Sequence, residues 1–71
     1  KKRRFYSMST KVICQTPKIG LHIIDHYSKR SMEIVDKIEG EAQEWYVCFD
    51  YNDGTTYLRT YDQFYEIYCY E

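Results

Sequence analysis

Apolar positions along much of this chain recur at every second residue, which is the spacing of strands with one buried face. The run "KVICQ" at residues 11 to 15 is β-branched and stops before Thr16-Pro17, where proline removes a ladder donor, so it predicts a short first strand. Two periods compete from Lys18 to Gly40. Ile19, Leu21 and Ile23 alternate with polar or small residues, "SKRS" makes a polar turn, and Met32, Ile34 and Ile38 restart the alternation. The alternative is a helix capped by Thr16, with Pro17 at its first position and a stripe of Ile24, Tyr27, Ile34, Val35 and Ile38. Strands are preferred: Gly20 weakens the start of such a helix, Ser31 interrupts its stripe, and the β-branched content is high.

The stretch "WYVCFDYNDGTTYLRTY", residues 45 to 61, predicts a hairpin, because Asp53-Gly54 supplies the positive φ angles of a tight turn. A two-residue loop there opposes Asp50 to Tyr57, Phe49 to Leu58 and Cys48 to Arg59. One face then holds Trp45, Val47, Phe49 and Leu58, the expected core. The other holds Tyr46, Cys48, Asp50, Tyr57, Arg59 and Tyr61, an expected surface stripe with an Asp50–Arg59 ion pair. A three-residue loop instead opposes Phe49 to Tyr57 and Val47 to Arg59. That register is disfavoured because it carries a guanidinium onto the apolar face. Downstream, Thr60-x-x-Gln63 reads as a capping box, and Phe64, Ile67 and Tyr68 fall at helical spacing, predicting a short closing helix. A terminal strand with Tyr61, Tyr65 and Ile67 on one side is the alternative.

Length changes the picture next. Seventy-one residues make one domain, expected as a basic, flexible arm over residues 1–10 and a folded body over 11–71. A core of this size leaves little room for a catalytic cleft. Asp25, His26 and Ser28 are close in sequence, but strand neighbours point to opposite faces, and three scattered glycines form no phosphate loop, so no enzyme is expected. No apolar run approaches a bilayer span, and "KKRR" is followed by no signal-peptide core; the expectation is a soluble, intracellular chain without membrane contact. Cys14, Cys48 and Cys69 make no disulfide framework. With His22 and His26 they offer zinc-ligand chemistry but no C-x-x-C knuckle, so neither metal nor cofactor is expected.

Charge is segregated. Residues 1–37 carry nine Lys/Arg and three Asp/Glu, residues 38–71 one and eight. Either the halves neutralise each other on folding, or each meets a partner of opposite charge.

The order of a short strand, a polar turn, "MEIVDKIEGE" and then "YVCFDYNDGTTYLRTYDQF" resembles a Tudor domain of the SH3-like barrel group over roughly residues 19 to 66. The resemblance implies a mainly β fold, a small SH3-like barrel of about five short antiparallel strands with a short C-terminal helix. The competing fold is α+β, with a helix at about 17–38 packed on the hairpin. The resemblance also implies an aromatic cage for methylated lysine or arginine, with Tyr27, Phe49 and Tyr57 as walls and Asp53 as the acidic contact. Placing Phe49 with Tyr57 needs the three-residue loop.

The functional expectation is a protein-binding module, whether peptide reader, adaptor or small inhibitor. It would use Tyr46, Tyr57, Arg59, Tyr61 and Asp50 with the acidic C-terminal half. The alternative is nucleic-acid binding through Lys1, Lys2, Arg3, Arg4, Lys29 and Arg30, or a virus-encoded mimic of nucleic acid. An exposed hairpin edge would also allow a homodimer.

Overall fold

The computed structural model describes residues 10–70. The expected basic arm, apart from Thr10, and with it Lys1, Lys2, Arg3 and Arg4, lies outside those residues. Strand alternation wins along the rest of the chain. The strands are β1 (Lys11–Ile13), β2 (His22–Asp25), β3 (Ser31–Glu39), β4 (Glu44–Asp50), β5 (Thr55–Arg59) and β6 (Phe64–Tyr70), with a 3₁₀ turn at Tyr61–Gln63 before β6. They form one antiparallel sheet in the order β1-β6-β2-β3-β4-β5.

Three expectations are corrected by this topology. The sheet is open, with β1 and β5 as its two edges, so the SH3-like barrel of about five strands is replaced by six strands that do not close. The helix at 17–38 does not form; β2 and β3 occupy that stretch, and Ile23 lies opposite Met32. The closing helix is only the 3₁₀ turn. Gln63 Oε1 does accept the Thr60 N–H at 2.9 Å, as a capping box requires, but Phe64 is already extended at φ −92°, ψ 128°. The residues after the turn pair with β2, Ile23 opposite Ile67 and His22 opposite Tyr68, because pairing with a sheet strand satisfies backbone groups that a short helix would leave open.

The core is one face of this sheet: Ile23, Met32, Ile34, Tyr46, Cys48 and Ile67, with Cys14, Leu21, Tyr57 and Phe64 packed against it. Tyr46 of β4 meets Phe64 of β6 at 5.5 Å between ring centroids, so the sheet bends across β2 and β3 to enclose that face. In β3 the alternation breaks at Val35, which bulges between the Ile34–Cys48 and Asp36–Val47 pairs. Parity changes there, and Ile38, expected beside Met32 and Ile34, is turned to the opposite face and left exposed.

The hairpin register matches neither of the two expected. Asp50 opposes Thr55, Cys48 opposes Tyr57 and Tyr46 opposes Arg59, leaving a four-residue loop of Tyr51, Asn52, Asp53 and Gly54. Face membership is as expected, but inside and outside are exchanged. Tyr46, Cys48 and Asp50 are buried, while Leu58 is exposed and Trp45, Val47 and Phe49 are half-buried on the outer face. The reason is non-local: Cys48 lies opposite Ile34, so β4 must bury the side it shares with β3, whatever its own most apolar side.

Candidate functional site

Two turns of similar design close one end of the sheet. After β2, Asp25 C=O accepts the Lys29 N–H and its carboxylate accepts the Ser28 N–H; Lys29 has φ +61°. After β4, Asp50 C=O accepts the Gly54 N–H and its carboxylate accepts the Asn52 N–H; Gly54 has φ +70°. In each, the aspartate organises the loop and a left-handed residue ends it. Both carboxylates are fully buried, which is costly unless each is paired. The pairs cross: Arg59 Nε donates to Asp25 at 2.7 Å, and Arg30 holds Asp50 at 2.6 Å and Asp53 at 3.3 Å. The expected Asp50–Arg59 pair is thereby replaced. Burial pushes the Asp25 carboxyl up, but the Arg59 and Ser28 hydrogen bonds outweigh it and hold the group below the usual carboxylate range.

Aromatic rings cover this cluster. The Arg59 guanidinium lies 5.3 Å from the Tyr57 centroid and 5.9 Å from that of Tyr27, and the Tyr57 hydroxyl donates to Asp53 at 2.5 Å. That bond lowers Asp53 and raises Tyr57. Of the residues implied as a cage, Tyr27 and Tyr57 both approach the chain's own Arg59, and Asp53 is held by Tyr57 and by Arg30. Phe49 does not join them; it lies on the other face, edge-on to Tyr51 at 4.7 Å. Of the residues expected to bind, Tyr46 and Asp50 are buried, Tyr57 and Arg59 are engaged in this cluster, and Tyr61 is exposed. Lys29 Nζ donates to His26 C=O at 2.7 Å and lies 4.8 Å from the Tyr65 ring, and Arg30 is committed to Asp50 and Asp53.

The feature that local reading missed is a groove of about 450 Å³ between the end of β1 and the start of β6. Ile13 and Gln15 form one bank, and Tyr61, Phe64 and Tyr65 the other. Asp62 and Glu66 supply carboxylates. Tyr61 and Tyr65 are 56% and 67% exposed, so the aromatic bank is open to solvent. Glu66 holds Lys11 Nζ at 2.6 Å at the rim, and the Tyr61 hydroxyl donates to Gln15 C=O at 3.5 Å across it. The legible signal was the mismatch between a first strand cut short by Pro17 and a longer apolar-aromatic tail.

No family model matches the chain, and searches of curated proteins and of solved structures gave no match. Together with the open sheet, this removes the Tudor resemblance and the barrel it implied. Among the described residues, no group of three or more His, Cys, Asp and Glu is arranged to hold a metal. His22 stacks on Tyr68 at 5.6 Å, and Cys48 is buried, its thiol pushed up to about 11 by burial. No helix among the described residues is long and apolar enough to cross a membrane.

Proposed function

We propose that this chain is a non-enzymatic protein-binding module whose partner docks on the aromatic and acidic surface of the 3₁₀ turn and β6. The supporting observation is the exposure of Tyr61 and Tyr65 beside Asp62 and Glu66, along an open groove. Aromatic rings give large contact area for little entropy cost, and carboxylates at the rim select against acidic partners. The acidic C-terminal half expected to carry binding thus acts through β6, and the hairpin's inner tyrosines act as scaffold.

The test is binding to an immobilised peptide array of mixed sequence. Wild-type protein is expected to retain a subset of peptides, and Tyr61→Ala/Tyr65→Ala to lose them with an unchanged thermal midpoint. Retention unaffected by that double substitution, or salt-sensitive binding to oligonucleotides in its place, overturns the reading.

A further inference from the structure

We propose that the gap beside β6 is a slot for an extended peptide strand bearing basic side chains; this rests on the protein-binding reading of the same surface. β6 is paired with β2 from Phe64 to Tyr68, but β1 covers its other edge only from Tyr68 to Tyr70. The last bond on that side is Cys14 N–H to Ile67 C=O, at 2.8 Å. Beyond it the chain leaves through Gln15, Thr16 and Pro17, and proline has no N–H with which to continue the ladder. Among the described residues no strand pairs with residues 64–66 on that side, and the groove occupies that place.

Backbone and side-chain chemistry agree on the occupant. Tyr65 is the bulged residue of β6, without a register partner on β2, and next to it Ile67 turns its C=O to the β1 edge, where it accepts the Cys14 N–H. An added strand would use that edge, the usual mode by which an extended peptide joins a sheet. Asp62 and Glu66 make the slot acidic, and the surface already receives two ammonium groups of its own chain: Lys11 on Glu66 and Lys29 over Tyr65. An incoming lysine or arginine would exchange with these for the Glu66 carboxylate and the Tyr65 ring, and would meet the Asp62 carboxylate besides. The apolar bank of Ile13 and Phe64 suits β-branched residues between the basic ones.

The probe is the capped peptide acetyl-Val-Lys-Val-Lys-Val-amide, titrated into the full chain and followed by amide NMR shifts. Shifts are expected at residues 13–15 and 64–66. Alternate N-methylation of the peptide, which removes ladder donors, and exchange of its lysines for glutamates should each weaken binding by about tenfold or more. Asp62→Asn and Tyr65→Ala should weaken it similarly, and Tyr51→Ala in the hairpin loop should leave it unchanged. Hydrogen exchange of β3 and β4 checks that the variants remain folded. Equal binding of all three peptides overturns the slot, as does the absence of shifts with any of them at millimolar concentration. Shifts confined to the hairpin loop also overturn the slot and leave the protein-binding reading standing. If no peptide binds and oligonucleotides do, both fall.

Discussion

Asp25 and Asp50 carry the most consequential contacts at the scale of single residues, because each is a charge with no exposed surface. Removing Arg59 leaves Asp25 buried without its counter-ion, and Arg59→Ala is expected to cost about 3 kcal/mol, read by chemical denaturation. Arg59→Lys should recover part of this, since an ammonium restores charge but not the guanidinium's fixed array of donors to Asp25 beside the Tyr57 ring. Acid should act on the same pair. A carboxyl whose folded pKa lies below its unfolded value of about 3.9 stabilises the fold above that pH, and the contribution is lost as pH falls through the folded pKa. The thermal midpoint of the wild type should therefore exceed that of Asp25→Asn at neutral pH, with the gap narrowing below about pH 4. At Cys48 the sign is opposite. Burial raises its thiol to about 11, so the neutral form persists in the folded protein well above the usual thiol pKa. Mass spectrometry after brief iodoacetamide treatment at about pH 8 should find Cys48 unmodified, and modified once the chain is unfolded.

Strands and turns bring a different balance. A β-branched run located β1, alternation placed strands on either side of the "SKRS" turn, though β2 begins only at His22, and the Asp53-Gly54 pair located the hairpin, because these signals lie within a few neighbouring residues. Loop length escaped them. Asp50 draws both Asn52 N–H and Gly54 N–H onto itself, which lengthens the loop by two residues beyond the shortest turn. Gly54 ends that loop at φ +70°, where a side chain is strained even though open space surrounds it. Gly54→Ala should cost about 1 kcal/mol in urea denaturation, with the m-value unchanged. The bulge at Val35 was equally invisible, since an extra residue in one strand is defined only by its partner.

For the molecule as a whole, the described residues meet part of the charge segregation inside the fold. Arg59, the sole basic residue of the C-terminal half, is bound to Asp25 of the first half, and Lys11 and Arg30 return the exchange to Glu66 and Asp50. These crossings tie sequence-distant strands together, so opening should proceed from the sheet's edges. Native-state hydrogen exchange should find β1, three residues long and on the edge, among the fastest segments, and β3 with the facing part of β4 slowest. Equal protection of β1 and β3 would contradict that order.

Sequence alone determined that the chain is mainly β, where most strands lie, and which side chains share a face of the hairpin, because period-two alternation and turn chemistry are local. Only the tertiary structure decided which face is inside. Trp45, Val47, Phe49 and Leu58 form the more apolar side of the hairpin, yet Tyr46, Cys48 and Asp50 are buried, because β3 presents Ile34 on that side and Arg30, twenty residues away, neutralises the aspartate. The groove beside β6 is likewise a product of topology: β1 and β6 meet from opposite ends of the chain, and the length of one beyond the other is written in neither strand by itself.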